Sequence, residues 1–340
     1  MKGIIFKGIS ILILVLFAGC ATRPDPELVT LANRTYPPHQ PFPNSFFFSY
    51  NDANIHYRVW NPDNYAYNNG KKTGILLIHG LGASTFSWRF TAEDLVQQGY
   101  TVVAADLPAF GYTSRRPGAR WTDGERSTAL WALLQQELPD ITQWILVGHS
   151  YGGRITLRMT VDEPDLAAGW VGVSPAVGEG GRRIALLGLW PFRQIARSII
   201  ASRFQNPQGL SSTLENAYGR EPSDGEILGY VAPFLIPGAV DGFIDFTLVK
   251  NPQARYQDEE VTNTSLDLVS LLEAPGLLIW GQDDQWVSPD QADSIIARKA
   301  MPLVVIEDGG HVVQETHPER VREALFSWLN LLPLSDTSQR

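Results

Sequence analysis

The stretch ILVGHSYGGR, residues 145–154, sets Ser150 between Gly148 and Gly152 in the pattern G-x-S-x-G. The chemistry open to such a serine is nucleophilic. Its hydroxyl attacks weakly at neutral pH and becomes useful only when a base takes its proton and an acid orients that base. Six histidines are available as the base: His39, His56, His79, His149, His311 and His317. His39 lies in a proline-rich stretch, His56 in an aromatic hairpin and His79 at a strand end. His149 adjoins the serine, and side chains of neighbours diverge at a sharp turn. His311 and His317 remain, in VIEDGGHVVQETHPER. His311 is favoured, because the two glycines before it let its loop approach closely, whereas His317 precedes Pro318 at a helix start. For the acid, LLIWGQDDQWVSP offers Asp283 and Asp284, which composition does not separate.

These groups need a frame. Residues 144–147 read as a buried strand and RITLRMTVDE, residues 154–163, as the following helix, so Ser150 occupies a strand-to-helix turn. Side chains at the flanking glycines would collide with that strand and helix, and the serine is held at a strained backbone angle that pushes its hydroxyl outward. Further apolar runs cover residues 75–79, 101–106, 169–174, 276–281 and 303–307, with helical stretches between most of them. Continuous apolar runs suit parallel strands buried on both faces, and the alternation predicts an α/β fold, a mostly parallel twisted sheet covered by helices on both sides. Strand ends on one edge of such a sheet face a common crevice, which brings the serine, aspartate and histidine loops within reach of one another. SFFFSYNDANIHYRVW, residues 45–60, reads as a leading hairpin. The alternation breaks over residues 176–274, too long for a connection, and this predicts an inserted helical cap to which no site residue is assigned. The core then spans residues 44–175 and 275–340.

Taken in order, four segments carry a resemblance: HGLG at 79–82, GHSYGG at 148–153, WGQDD at 280–284 and GGH at 309–311. From about Ser45 to Leu332 the chain resembles the α/β-hydrolase superfamily, whose nucleophile, acid and base follow in the order Ser, Asp, His. The resemblance implies Asp284 as the acid, the fourth residue after Trp280, and an oxyanion hole built from the backbone amides of Leu81 and Tyr151. DLPAFGYTS, residues 106–114, resembles a further family loop with Ala109 where glycine is more usual. That loop is structural in the family, so Asp106 is left out of the site.

The 340 residues carry 27 basic and 36 acidic side chains, a net charge of −9 that offers no electrostatic footprint for nucleic acid. The single cysteine, Cys20, excludes an intrachain disulfide and a thiolate metal cluster. It follows Lys2, Lys7 and an uncharged run from Gly8 to Gly19, too short to span a bilayer but suited to a secretory signal. Ala18-Gly19-Cys20 resembles the bacterial lipobox, with Phe17 where an aliphatic residue is more usual. An ordinary cleaved signal with an incidental cysteine is the alternative. The resemblance implies a signal peptide over residues 1–19, lipidation at Cys20 and anchorage to the cell envelope. With Ala21 and Thr22 next, it implies the outer membrane in a host with two membranes. Prolines at 24, 26, 37, 38, 41 and 43 predict an extended tether over residues 20–43.

The superfamily's cap-bearing group includes carboxylesterases, carbon-carbon bond hydrolases, iminopeptidases, perhydrolases, epoxide hydrolases and haloalkane dehalogenases. The last two use an aspartate where this chain has Ser150. The expectation is therefore ester hydrolysis through an acyl-enzyme on Ser150, with His311 as base and no metal or organic cofactor. The alternatives are carbon-carbon, amide or perhydrolase chemistry on the same residues, or a non-catalytic envelope binding protein on the same fold. Substrate identity and oligomeric state are not legible.

Overall fold

The computed structural model describes residues 24–62, 73–115, 121–178, 192–247 and 265–332. The expected signal segment and Cys20 lie outside the described residues. Asn51, at φ 50°, and Asp52 turn the aromatic segment back on itself, so that β1 (Ser45–Tyr50) pairs antiparallel with β2 (Ala53–Trp60). The apolar runs that follow form β3 (Thr73–Ile78), β4 (Thr101–Ala105), β5 (Gln143–His149), β6 (Ala167–Val173), β7 (Gly276–Gly281) and β8 (Leu303–Ile306). They make one eight-stranded sheet in the order β1-β2-β4-β3-β5-β6-β7-β8. β2 runs antiparallel to β4, and every pair from β4 through β8 is parallel.

Alternate residues of a strand face opposite sides, and here both sides are covered. Leu76 and Ile78 of β3 join Val103 and Leu146 on one face, against Ala129, Leu133 and Ile155 of the covering helices. Ile75 and Leu77 join Val102, Ile145 and Val147 on the other, against Leu95, Val321 and Trp328. The helices, in chain order, are α1 (Pro26–Thr35), α2 (Arg89–Gln97), α3 (Asp123–Glu137), α4 (Tyr151–Asp162), α5 (Phe192–Phe204), α6 (Pro207–Tyr218), α7 (Asp224–Phe234), α8 (Ala239–Thr247), α9 (Ser265–Ser270), α10 (Gln291–Ile296), α11 (Val313–Thr316) and α12 (Pro318–Leu329). Helix α3 begins with a capping box between Thr122 and Glu125, which satisfies the first free amides.

The proline-rich segment is not extended throughout: Asp25 caps α1 through the amide of Glu27, and Pro26 fits the first helical turn because its missing N–H is not needed there. Ala32 is buried, and Leu28 packs against the cluster that holds Leu210, Leu214 and Val231. Asp25-Pro26 marks a cap and a first turn, which composition alone does not distinguish from a tether. Within the expected cap, residues 176–274, the described helices are α5 to α9, and α9 sends Leu268 and Val269 into the core beside Leu278 and Trp280.

Among the described residues no single helix is long and apolar enough to cross a membrane. The apolar pair α7 and α8 is bent by 83° and buries Val231, Phe234, Phe243 and Ile244.

Ala109 adopts φ 84°, a left-handed conformation that suits glycine. Ala109→Gly should raise stability by about 0.5 to 1 kcal/mol, the relieved strain exceeding the added freedom of the unfolded chain. Equilibrium denaturation of the two proteins measures it; a lower midpoint for the glycine variant would contradict the strain argument.

Candidate active site

Ser150 sits between the end of β5 and the start of α4 with φ 50° and ψ −118°. Its amide donates to the Val173 carbonyl at 3.0 Å, and its own carbonyl accepts from the amides of Gly153 and Ala176. The turn leaves no room for flanking side chains. A Cβ on Gly148 would lie 2.3 Å from the Gly152 carbonyl oxygen, and one on Gly152 would lie 2.3 Å from that of Ile78. The backbone, rather than a side-chain hydrogen bond, thus locates the serine, and an L-residue is kept where glycine is at ease.

The Asp284 and His311 loops leave the adjacent ends of β7 and β8. Asp284 Oδ2 accepts the Nδ1 proton of His311 at 2.8 Å, while Oδ1 accepts from the amides of Trp286 and Val287 at 2.8 and 2.9 Å. Both side chains are buried. Burial raises the Asp284 pKa, but the hydrogen bond and charge of His311, with the two amides, outweigh it and hold the carboxyl below its ordinary value. Asp283 behaves differently. Its amide donates to the Gly309 carbonyl and its side chain is exposed.

His149 holds the backbone of His311. Its Nε2–H donates to the His311 carbonyl at 2.9 Å, with the two rings 4.7 Å apart. Burial, helped by the charge of His311, depresses the His149 pKa to about 3, so it stays neutral at working pH. Trp286 lies 5.2 Å from the His311 ring at a 30° tilt. The sequence reading set His149 aside as a neighbour that diverges from the serine. It diverges from Ser150 only to meet His311. Trp286 carried no signal beyond its place two residues after Asp284.

The two amides expected to receive an oxyanion lie beside the serine. Tyr151 opens α4, where the first N–H groups of a helix lack intrahelical partners. Leu81 belongs to the Gly80–Ala83 turn, and a Cβ on Gly80 would sit 3.2 Å from that of Ser150. Phenylalanines cover this turn: a Cβ on Gly82 would meet the rings of Phe243 and Phe234 at 3.2 and 3.8 Å. Phe246 closes on Tyr151 at 4.9 Å.

The remaining histidines serve elsewhere. His56 donates from Nδ1 to Asp106 at 2.7 Å, and His79 Nε2 accepts the Leu107 amide at 3.0 Å. Asp106 also accepts from the amides of Thr85 and Tyr112 at 2.6 and 2.7 Å, tying the turn after β4 to the loop after β3. Burial raises the Asp106 pKa, but His56, His79 and the Tyr112 amide outweigh it, so it remains an ionised structural hub. His317 bonds its neighbour Thr316. Among the described residues no three His, Cys, Asp or Glu side chains converge as metal ligands.

Residues 74–318, the stretch that holds the buried Asp–His pair and the strained serine at the carboxyl edge of the sheet, match a family model described as the alpha/beta hydrolase fold. The chain belongs to the α/β-hydrolase family. This hydrolase is 22% identical over 295 residues to an uncharacterised hydrolase, YugF, of Bacillus subtilis (strain 168), covering 83% of this chain and 96% of that one. It is 26% identical over 256 residues to Lipase 1 of Psychrobacter immobilis, with 72% and 73% covered. Its fold is similar to the crystal structure of a membrane phospholipase A described as a bacterial virulence factor. The TM-score is 0.64 at 20% identity, with 97% of this chain and 98% of that one covered.

Proposed function

We propose that this hydrolase cleaves carboxylic esters through Ser150, His311 and Asp284. The observation that carries the reading is the buried Asp284–His311 hydrogen bond beside the strained Ser150 turn. With Nδ1 committed to Asp284, the free Nε2 of His311 takes the serine proton as Oγ attacks the ester carbonyl. The amides of Leu81 and Tyr151 receive the developing oxyanion, a contribution of about 3 to 4 kcal/mol for one such donor. His311 then protonates the leaving alcohol, and a water deprotonated by the same nitrogen releases the acid from Ser150. Phe234, Phe243 and Phe246 around the turn support an apolar acyl group. A rapid-mixing experiment with p-nitrophenyl esters of increasing acyl length tests the reading. A burst of one nitrophenolate per enzyme supports an acyl-enzyme; no turnover of any ester by the folded protein refutes it.

We further propose that Cys20 carries a lipid anchor to the cell envelope, on the outer membrane where the host has two membranes. Each buried methylene contributes about 0.8 kcal/mol, so several acyl chains hold a protein effectively permanently. Cys20→Ser should abolish lipid labelling and membrane retention while leaving the hydrolysis of a soluble ester within about twofold, because the site is built from residues 80 onward. Retention of the serine variant in membranes after a high-salt wash would contradict the anchor.

A further inference from the structure

The last turn of cap helix α6 touches both loops that carry the acid and the base. Asn216 accepts a hydrogen bond from the indole of Trp286, the residue whose amide binds Asp284 and whose ring lies against His311. The Ala217 carbonyl accepts the backbone N–H of His311 at 2.8 Å. Tyr218 donates its hydroxyl at 2.8 Å to Glu315, four residues beyond His311 on α11.

Each contact has a physical reason to persist. The final carbonyls of a helix have no intrahelical partner, and His311 supplies one for Ala217. Gly310 makes the approach possible: a Cβ there would stand 2.6 Å from the Ala217 oxygen. The Glu315 side chain is fully buried, which is tolerable only because Tyr218, Tyr230 of α7 and Arg89 of α2 all donate to it. Arg89 reaches on to Glu226, which Arg220 also pairs. Burial pushes the Glu315 pKa up despite these donors. The cap is thus bound to the core through polar groups immediately beside the candidate base.

We propose that the Asn216-Ala217-Tyr218 turn is a positioning element. It clamps the Asp284 and His311 loops together, so that the cap holds the base in register as well as covering the substrate. This rests on the serine–histidine–aspartate reading above. A clamp differs from a substrate-binding lid in one measurable respect. Small organophosphates react with an activated serine without needing the contacts a long acyl chain makes, so their reaction rate reports activation of Ser150.

The experiment compares full-length wild type with Asn216→Ala, Tyr218→Phe, Gly310→Ala and the exposed control Glu215→Ala. It reads kcat and KM on a short p-nitrophenyl ester and the inactivation rate by diethyl p-nitrophenyl phosphate. Asn216→Ala and Tyr218→Phe should each lower kcat and the inactivation rate together by about tenfold, with KM within about twofold. Gly310→Ala, which wedges the helix end from the loop, should lose about a hundredfold, and Glu215→Ala should match wild type. Tyr218→Phe deletes only a hydroxyl, so it keeps the test alive if Gly310→Ala fails to fold. Raised KM with an unchanged inactivation rate in Asn216→Ala and Tyr218→Phe would overturn the clamp and leave a plain lid. A wild type that does not react with the organophosphate at all would instead overturn the catalytic reading beneath it.

Discussion

Ser150→Ala lowers kcat for ester hydrolysis by about 10⁵ to 10⁶ with the fold intact, the scale on which loss of the nucleophile acts in serine hydrolases. The size follows from the site's construction. The Gly148 and Gly152 contacts and the strained backbone fix residue 150 in the turn, and in the proposed mechanism the buried Asp284–His311 pair draws the proton from its hydroxyl, so alanine leaves that pair nothing to act upon. The φ of 50° is no worse for alanine than for serine, so circular dichroism and thermal midpoint should barely change. Steady-state kinetics on a short ester, with protein free of wild-type contamination, makes the comparison. A loss below about a hundredfold would mean that another group carries the attack.

Asp284→Asn should cost at least about a hundredfold in kcat and approach 10⁴, whereas Asp283→Asn should cost under tenfold. The hydrogen bonds around residue 284 give the reason. Two amides, those of Trp286 and Val287, point at Oδ1, so the asparagine oxygen takes that side and its NH₂ faces His311 Nδ1. Nδ1 must then accept, the ring proton moves to Nε2, and the nitrogen that should take the serine proton is already occupied. The imidazolium formed during attack also loses its carboxylate partner. Asp283 presents only its amide to the site's frame, and Asn keeps that bond. Both variants are compared at one pH, with circular dichroism as the folding control. A larger loss in Asp283→Asn would move the acid by one residue.

The contrast between these neighbours also shows which parts of the molecule the sequence could disclose. Strands β3 to β7 were legible because burial on both faces demands uninterrupted apolar runs, and Ile75, Leu76, Leu77 and Ile78 serve two cores at once, whereas the edge strand β8 keeps an apolar run although Leu303 and Val305 are exposed. The serine turn was legible because its close approaches exclude every side chain but hydrogen at Gly148 and Gly152. Asp283 and Asp284 have identical side chains, and only the backbone turn after β7 sends one outward and the other to His311. Helix α1 was missed because a proline at a first helical turn and a proline in a tether look alike until Asp25 is seen to cap the helix. His149 could be noticed but not assigned, since its partner is a backbone carbonyl 162 residues away. The α6 clamp left no local trace: Asn216, Ala217 and Tyr218 acquire a role only when the fold lays them against Trp286, His311 and Glu315.

The most direct test of Ser150 as nucleophile is covalent. Wild-type protein treated with an organophosphonate and measured by intact mass should gain one adduct, which peptide mapping places on Ser150, with activity lost in proportion and no adduct on Ser150→Ala. A folded wild type that takes up no adduct, or one that carries it on a residue other than Ser150, would contradict the account.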